Sequence, residues 1–434
     1  MRTIDLRGRT LSTAELLAAV PRATAARATA VATASEIVED VRIRGEESLR
    51  EQAERFDGVT GHALRVPQDH IDEAVAGLEP AVRAALDEAI RRVRVASAAQ
   101  VPAASTTQLA PGASVTQRWQ PVSRVGVYVP GGKAVYPSSV VMNVVPAQVA
   151  GVSSVALASP AQRSDDGRVH PTILAAAGLL GVDEVYAMGG AGAIGALAHG
   201  VASLGLEPVD VVSGPGNNFV AAAKRAVAGV VGTDSEAGAT EILIVADDSA
   251  DARLVAVDLV SQAEHDEQAS AVLVTTSPRL AGLVAEEVEL FAASTRHSER
   301  VGVALAGPQS AIVLVDDLEA AAAFSNAYAP EHLELHIRDA AASASAYVNA
   351  GAVFVGRDSP VSLGDYLAGS NHVLPTGGQA RYASGLGAFT FLRPQQVIEY
   401  DREALRQVSD GIVALAEAEA LPAHGEAVAA RFAE

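Results

Sequence analysis

The stretch V-V-S-G-P-G-N-N-F-V-A-A-A-K-R, residues 211–225, shows most directly how this chain folds. Its pattern predicts a short buried strand, a glycine-rich turn and the first turns of a helix. Backbone N–H groups at the start of such a helix can receive a phosphate or another anion. Two similar turns occur at residues 189–192 (G-G-A-G) and 130–133 (P-G-G-K). None matches the full dinucleotide fingerprint, so each alone fits an ordinary tight turn. Three of them at the ends of one strand group favour a ligand site, because ligands gather at the carboxyl ends of parallel strands.

Alternation of apolar strands with helices extends this pattern along most of the chain. Residues 1 to about 120 are predicted to be helical, and strands begin near Arg124. Continuous apolar strands between amphipathic helices indicate parallel sheets that are covered on both faces. One strand group lies between residues 125 and 216, and a second between 241 and 356. The sequence therefore predicts two doubly wound α/β units with a seam near residues 239–241, followed from about Gly387 by a helical appendage.

Composition narrows the class of protein. With 434 residues the chain is long enough for two or more domains. The net charge of −20 argues against nonspecific nucleic-acid binding. No apolar run has the length of a membrane span, and the N-terminus lacks a signal-peptide core, so a cytoplasmic location is expected. The absence of cysteine excludes disulfides, thiolate metal ligands and thiol nucleophiles.

The segment S-Q-A-E-H-D-E-Q-A-S-A-V-L-V-T, residues 261–275, places several polar groups just before an apolar strand. Gln262 and His265 are three residues apart, which puts both on one face of a helix. An amide oxygen and an imidazole nitrogen suit Zn²⁺ or a similar divalent ion. A solvated helix end explains the same residues when the segment is considered alone.

The segment A-P-E-H-L-E-L-H-I, residues 329–337, offers candidate proton acceptors. Pro330 is predicted to open a helical turn, with Glu331 and His332 at its start. A carboxylate beside an imidazole provides two bases of different strength. An ordinary exposed helix start is the alternative. His336 is predicted to lie on a strand face without a chemical role.

Two later segments contain further polar candidates. The long loop S-P-V-S-L-G-D-Y-L-A-G-S-N-H-V-L-P-T-G-G, residues 359–378, is of a kind that rarely persists without function. Within it, Asp365 is a candidate carboxylate ligand and His372 a candidate member of a polar network. The tail segment E-A-L-P-A-H-G, residues 419–425, carries His424, which by itself would be assigned to the surface.

Together these segments resemble histidinol dehydrogenase. The matching stretches follow the order of that family and span most of the chain: R-V-G-V-Y-V-P-G-G-K-A, S-G-P-G-N-N-F-V, S-Q-A-E-H-D-E-Q-A, A-P-E-H-L-E-L, S-L-G-D-Y-L-A-G-S-N-H-V-L-P-T and E-A-L-P-A-H. The resemblance implies an α/β fold of two incomplete Rossmann-like, doubly wound domains plus small helical terminal segments that are exchanged in a homodimer. The implied boundaries are an N-terminal arm at 1–23, a domain with the metal and catalytic loops at 24–127 and 241–386, an NAD-binding domain at 128–240, and a C-terminal helical tail at 387–434 that reaches the partner subunit.

The resemblance also implies a reaction and a set of site residues. The reaction is the zinc- and NAD-dependent, four-electron oxidation of L-histidinol to L-histidine through bound L-histidinaldehyde, the last step of histidine biosynthesis. The implied catalytic pair is Glu331 and His332. One zinc ion per subunit would be held by Gln262, His265, Asp365 and His424. Substrate contacts fall on Thr240, Gln262, His265, His332, Asp365, Glu419 and His424. NAD contacts fall on Tyr128, Gly192 and Asn217. Glu419 and His424 would enter the site of the partner subunit.

Two stretches depart from the pattern of that family. Gly192 stands where many relatives have glutamine, so a side-chain contact to the cofactor is lost and a lower cofactor affinity is expected. Thr240 stands where many have serine and keeps the hydroxyl, whereas Ala239 replaces a proline and loosens the turn. Neither change affects the expected metal ligands or the proton-transfer groups.

The lack of cysteine bears on the mechanism that the resemblance implies. Many aldehyde oxidations proceed through a cysteine adduct, which this chain cannot form. Water must therefore add directly to the aldehyde, with Glu331 as the base for that water and His332 as the proton acceptor in both oxidations. Three alternatives remain: a same-fold dehydrogenase for another small alcohol such as a sulfonated diol, a zinc-dependent hydrolase that uses Glu331 as the water base, and a noncatalytic metal-binding protein. Glu419 fits an amine-bearing substrate better than an anionic one, and a hydrolase would not need the glycine turns.

Overall fold

A computed structural model describes residues 1–22, 27–131, 135–235 and 238–433. The strands are β1 (Arg2–Asp5), β2 (Ser105–Ala110), β3 (Ala113–Pro121), β4 (Arg124–Tyr128), β5 (Ser154–Ser159), β6 (Val185–Ala187), β7 (Val211–Ser213), β8 (Gly232–Thr233), β9 (Glu241–Ala246), β10 (Ser270–Thr275), β11 (Ala311–Leu314), β12 (His332–His336), β13 (Ala352–Val355) and β14 (Leu392–Tyr400). The helices are α1 (Thr13–Ala19), α2 (Arg27–Arg44), α3 (Glu46–Gln52), α4 (Gln68–Ala76), α5 (Pro80–Ala98), α6 (Pro137–Ala150), α7 (Pro171–Leu179), α8 (Gly190–His199), α9 (Asn218–Val227), α10 (Ala252–Ala263), α11 (Pro278–Ser294), α12 (Ser298–Ala306), α13 (Leu318–Tyr328), α14 (Ala340–Ser343), α15 (Val361–Tyr366), α16 (Arg402–Ala418) and α17 (Pro422–Ala429).

The chain divides into two compact units. The first comprises Met1–Gln100 and Ser123–Phe391, and the second comprises Val101–Val122 and Leu392–Glu434. The domain boundaries expected at 23–24, 127–128 and 240–241 stay a prediction, and the first of them lies outside the described residues.

Two parallel sheets form the framework of the first unit. One has the strand order β6-β5-β4-β7-β8, and the other has the order β1-β11-β10-β9-β12-β13. Every pairing in both sheets is parallel. The predicted α/β class and the two strand groups are therefore confirmed. The separate prediction of Rossmann-like domains is not tested by these pairings.

Side-chain alternation explains why the central strands read as continuous apolar runs. In β9, Ile242 and Ile244 belong to a cluster with α10, α11 and α12. Their neighbours Leu243 and Val245 point to the opposite face, in a cluster that also contains residues of α13. Because successive side chains of a strand alternate between faces, a strand with helices on both sides must be apolar throughout.

The second unit contains the strands that the sequence did not predict. Strands β2, β3 and β14 form an antiparallel sheet of order β14-β3-β2, although both parts of the chain that supply them were predicted to be helical. The prediction of a wholly helical tail is wrong for β14. Strands β2 and β14 are mostly exposed and polar, and β3 is half-buried, so all three lack the apolar run that marks a buried strand. The remaining tail residues form α16 and α17, as expected.

The N-terminal residues also differ from the helical prediction. Strand β1 pairs with β11 at the edge of the six-stranded sheet. A four-residue strand before a charged turn carries too short a pattern to be separated from its surroundings. In the described part of the chain, no helix combines the length and apolar character that a bilayer crossing requires.

Candidate active site

The predicted catalytic pair lies at the amino ends of two neighbouring parallel strands. His332 begins β12 and pairs with Ile242 of β9, so Glu331 and His332 adjoin Thr240 and Glu241. We call this region the catalytic end. Glu331 and His332 are only 6% and 4% exposed.

The local structure of this pair differs from the prediction. Helix α13 ends at Tyr328, Ala329 takes the left-handed conformation with φ 51°, and a strand follows. Pro330 therefore follows a helix and does not open one. The alternative interpretation of Glu331 and His332 as an ordinary exposed helix start is also wrong. The alternating Leu333 and Leu335 enter the core, which requires an extended chain here.

Hydrogen bonds hold the Glu331 carboxylate in place. Its Oε2 accepts from the hydroxyl of Thr240 at 2.5 Å and from the backbone N–H of Glu241 at 2.9 Å. The Gln262 side-chain amide donates in turn to the Thr240 hydroxyl. Burial raises the pKa of Glu331 to about 7, against the lowering effects of His332 and of these hydrogen bonds. A carboxylate with this pKa can both accept and release a proton near neutrality.

The imidazole of His332 has a fixed tautomer. Its Nδ1 lies 3.1 Å from the backbone carbonyl oxygen of Glu241. A carbonyl oxygen can only accept, so Nδ1 is the donor in this contact, and Nε2 carries the lone pair of the neutral imidazole. The same Nδ1 is 3.7 Å from the Glu331 carboxylate. His332 is therefore oriented to take a proton at Nε2.

An ion pair supports the turn next to the catalytic pair. Arg22 Nε donates to the Glu241 carboxylate at 2.6 Å, and its guanidinium lies 3.9 Å from the centre of the Tyr328 ring. The same guanidinium donates to the backbone carbonyl oxygens of Tyr328 and Ala329. The sequence analysis missed Arg22, because its partners are far away in the chain.

The predicted metal ligands of the first unit lie on two helices that flank this end. Gln262 is buried in the last turn of α10, His265 follows that helix, and Asp365 lies in α15. The pKa of His265 is lowered, chiefly by loss of water around the ring, with opposing influence from Asp365 and a further lowering by His332. Part of His265 nevertheless stays exposed. These groups therefore lie within electrostatic reach of one another.

His372 belongs to a polar network, as predicted. Its Nδ1 is 2.9 Å from the backbone carbonyl oxygen of Asp365, and its Nε2 is 3.1 Å from the Ser139 hydroxyl. Glu419 and His424, in contrast, lie in the second unit, where both are exposed at the end of α16 and in α17. Their placement in a partner's site stays a prediction.

The glycine turns follow the carboxyl ends of β4, β6 and β7, at one edge of the five-stranded sheet. We call this the glycine-turn edge. The second half of the turn at 130–133 lies outside the described residues. Helix α9 is capped by the exposed Asn217, whose side chain accepts from the N–H groups of Phe219 and Val220. Helix α8 has no side-chain cap, and its Gly190 N–H donates to the hydroxyl of the buried Tyr128 at 3.1 Å.

Gly192 lies buried in the first turn of α8, beneath a side chain from another helix. A Cβ at this position would be 2.0 Å from Gln52 Oε1. Gln52 ends α3, and its Nε2 donates to the Ser48 hydroxyl at 2.9 Å. The amide of Gln52 thus occupies the space that a side chain at position 192 would enter.

A buried ion pair braces the turn at Gly214. The Lys224 ammonium bonds to the Asp234 carboxylate and to the Gly214 carbonyl, and the Gly214 N–H donates to Asp234 at 2.8 Å. Lys224 is 1% exposed. Gly214 has φ 122°, and a Cβ there would be 2.0 Å from the Tyr128 carbonyl oxygen. The sequence analysis also missed this pair, although a lysine after three alanines in an amphipathic helix is a visible signal.

A third polar cluster lies toward the other end of β12. Among the residues that the structure describes, Asp258, Glu334 and His336 are the one group of three acidic or histidine side chains whose ligand atoms converge within 4.8 Å. This group differs from the predicted zinc ligands. The sequence analysis assigned no chemistry to His336 and did not single out the other two.

The chain has close relatives of full length. It matches the model of the histidinol dehydrogenase family over residues 20–432. It is 66% identical to histidinol dehydrogenase of Leifsonia xyli subsp. xyli, with all of both chains covered. It is 58% identical to that of Thermobifida fusca, over 99% of this chain and 97% of the relative. The crystal structure of histidinol dehydrogenase from Elizabethkingia anophelis superposes with a TM-score of 0.92 at 32% identity, covering 100% of this chain and 98% of that one. The catalytic end and these relatives lead to one conclusion: the chain belongs to the histidinol dehydrogenase family, oxidoreductases of histidine biosynthesis.

Proposed function

We propose that the chain oxidises L-histidinol to L-histidine in two steps, with NAD as the hydride acceptor and one zinc ion per subunit. The observation that carries the proposal is the buried pair Glu331 and His332, hydrogen-bonded to Thr240 and Glu241 at the catalytic end. Two bases of different chemistry suit a reaction that removes protons in two successive steps.

The donor set at the catalytic end fits a zinc ion. The Gln262 amide nitrogen donates to Thr240, which leaves the amide oxygen as the free end of that side chain. His265 and Asp365 would add a nitrogen and a carboxylate oxygen, and His424 from a second subunit a further nitrogen. These are donor types that Zn²⁺ accepts. When bound, zinc would anchor the imidazole and amino nitrogens of the substrate.

In the first oxidation, His332 is the base. His332 Nε2 takes the proton of the substrate hydroxyl as a hydride leaves the carbon that bears this hydroxyl and passes to NAD. The substrate becomes an aldehyde. The hydrogen bond from Nδ1 to the Glu241 carbonyl oxygen keeps the ring in the tautomer that this step needs.

In the second oxidation, Glu331 is the base that activates water. A water molecule adds to the aldehyde carbon as Glu331 takes one of its protons, and His332 returns the proton from the first oxidation to the aldehyde oxygen. The product is the hydrate, and His332 is again neutral. His332 then takes a hydroxyl proton of the hydrate as the second hydride leaves, which yields the carboxylic acid. A pKa near 7 makes the Glu331 carboxylate a stronger base than an exposed glutamate. The chain has no cysteine that could form a covalent adduct with the aldehyde.

The glycine-turn edge supports a nucleotide site. The hydroxyls of Ser159 and Ser213, at the carboxyl ends of β5 and β7, are buried without a hydrogen-bond partner. Buried polar groups normally have partners, so a polar ligand is expected there. Helix α8 adds an uncapped N-terminus, which favours an anion. We assign Tyr128, Gly192 and Asn217 to the contacts with NAD.

The second unit supports a homodimer. Val408, Leu415 and Leu421 are 42%, 66% and 43% exposed on or beside α16. Several large apolar side chains on one exposed segment indicate a protein contact. We propose that this segment packs on a second copy of the chain and brings Glu419 and His424 into its site.

The proposal is tested by counting NADH formed per L-histidinol consumed, with zinc present and after chelation. Two NADH per substrate, lost on chelation and restored by zinc, are expected. One NADH with release of the aldehyde would contradict the role of Glu331 as the base for water. No NADH would contradict the proposed substrate.

A further inference from the structure

Three polar groups approach the Glu334 side chain from different directions. Its Oε1 accepts from the backbone N–H of Val361 at 2.8 Å, and its Oε2 lies 3.2 Å from His336 Nε2. A carboxylate oxygen of Asp258 lies within 4.8 Å of the ligand atoms of Glu334 and His336, and its Oδ2 is 3.8 Å from His336 Nε2. Glu334 itself is fully buried. We call Asp258, Glu334 and His336 the Glu334 network.

The partners of this carboxylate lie on three elements that carry the active-site residues. Asp258 is in α10, one helical turn before Gln262. Val361 begins α15, which contains Asp365. Glu334 is in β12, two residues after His332, so the two side chains lie on the same face of that strand.

We infer that Glu334 is a positioning residue that ties α10 and α15 to β12 and thereby keeps Gln262 and Asp365 in register with His332. The inference rests on the proposed metal site. Glu334 acts from behind these residues and need not touch substrate or cofactor. Groups that orient metal ligands influence metal affinity strongly even when they make no contact with the ion.

Hydrogen bonding distinguishes this network from a second metal site. One oxygen of Glu334 is already held by a backbone N–H. Asp258 and Glu334 can hydrogen-bond directly only if one carboxyl carries a proton, and burial raises the pKa of Asp258 to about 7. His336 Nδ1 is buried without a partner, whereas a metal-bound imidazole usually donates its other N–H to a second group. A proton shared between the two carboxyl groups therefore accounts for their closeness without a bound metal ion.

The test compares wild type with Asp258→Ala, Asp258→Asn and a core variant, Val284→Ala, in the zinc-loaded enzyme. Val284 is fully buried in α11 and is not part of the network, so this variant controls for lost stability alone. The readouts are zinc content, the rate of zinc transfer to a chelator, and the KM values for L-histidinol and NAD.

Asp258→Ala should release zinc about 10-fold to 100-fold faster and raise the KM for L-histidinol, with the KM for NAD within about twofold of wild type. Asp258→Asn should retain zinc as wild type does, because its amide N–H can donate to the nearby Glu334 carboxylate. Zinc release in Asp258→Ala that matches Val284→Ala would overturn the inference. A second bound metal that is lost in both Asp258 variants would overturn it in favour of a metal site. If wild type binds no zinc when zinc is supplied, the proposed metal site is wrong, and the inference fails with it.

Discussion

The catalytic end and the glycine-turn edge are built by different means. At the catalytic end, side chains hold side chains: Gln262 bonds to Thr240, and Thr240 bonds to a buried carboxylate whose pKa is raised to about 7. At the glycine-turn edge, the backbone itself forms the surface, and Lys224 and Asp234 brace one turn from below. The catalytic end provides a buried side chain with a shifted pKa, whereas the glycine-turn edge provides a backbone surface with N–H groups.

This difference predicts different responses to mutation. Removing a charge at the catalytic end should affect rate more than stability, because the charged form is itself unfavourable in the folded state. Removing a charge at the glycine-turn edge should affect stability more than rate, because the charge there compensates another buried charge.

Glu331→Gln should lower the rate of aldehyde oxidation by about 10² to 10⁴, the usual range for loss of a general base. The amide oxygen can still accept from Thr240 and Glu241, so the fold is retained. The measurement is NADH formation from L-histidinaldehyde and, separately, single-turnover oxidation of L-histidinol. The first step should fall much less than the second. An equal loss in both steps would assign Glu331 to positioning of His332 and not to activation of water.

Lys224→Met should lower the free energy of unfolding by about 3–5 kcal/mol, because it leaves the Asp234 carboxylate buried without its counter-ion. Urea unfolding measures this change. The matched control is Lys224→Met combined with Asp234→Asn, which removes both charges and keeps an acceptor for the Gly214 N–H. The double variant should recover part of the loss. A loss below about 1 kcal/mol in the single variant would mean that this pair behaves as an exposed one.

The pH dependence of stability provides the converse test at the catalytic end. Burial raises the Glu331 pKa from an ordinary 4.5 to about 7. Between these values the folded chain holds more protons than the unfolded chain, so the contribution of Glu331 to stability falls as pH rises through this window. Glu331→Gln lacks the titrating group. The stability of the variant relative to wild type should therefore increase by about 3 kcal/mol between pH 4 and pH 8.

This measurement uses chelator-treated protein at one fixed concentration, because zinc and subunit association both shift apparent stability. Thr240→Val, which keeps the carboxylate, is the control. It should retain a fall in stability with rising pH that reaches to higher pH than in wild type, because the lost hydrogen bond lowers the Glu331 pKa in wild type. A flat difference between wild type and Glu331→Gln would show that the carboxylate is already ionised well below pH 7.

The sequence was informative wherever local pattern determined local structure. Continuous apolar runs such as residues 242–245 indicated both parallel sheets, and glycines after strands located the turns. The polar strand β14 was missed because its pairing with β3 joins residues nearly 280 positions apart, beyond the reach of any local pattern. Pro330 misled the prediction in a different way: a proline after a left-handed residue can begin a strand as well as a helix.

Contacts between distant side chains could not be predicted from the residues alone. Arg22 and Glu241 are 219 positions apart, and Thr240 and Glu331 are 91 apart. The resemblance to the family named Glu331 and His332, but neither it nor the local pattern indicated Glu334, Lys224 or Gln52. These residues act from behind the site, where their partners are known only once the chain is folded.

Gly192→Gln, in the first turn of α8, tests how far side chains contribute to the glycine-turn edge and should have the smallest effect. The family resemblance implied that Gly192 loses a side-chain contact to the cofactor. In the structure, however, the Gln52 amide fills the adjacent space, and a new Cβ would be 2.0 Å from its oxygen. Gly192→Gln must therefore displace Gln52 from Ser48 before a new side chain can reach NAD. That displacement should offset much of the gain from the new contact.

A double-mutant cycle with Gln52→Ala isolates this competition. In the four proteins, calorimetry gives the Kd for NAD, and the coupling between positions 52 and 192 should be about 1 kcal/mol. The double variant should bind NAD more tightly than Gly192→Gln alone, because alanine at position 52 leaves room for the new side chain. Additive effects would mean that the flexible Gln52 moves aside at no cost. In that case glycine at position 192 would simply lack a side-chain contact to NAD. The backbone of the glycine-turn edge would then bind NAD without a contribution from Gln52.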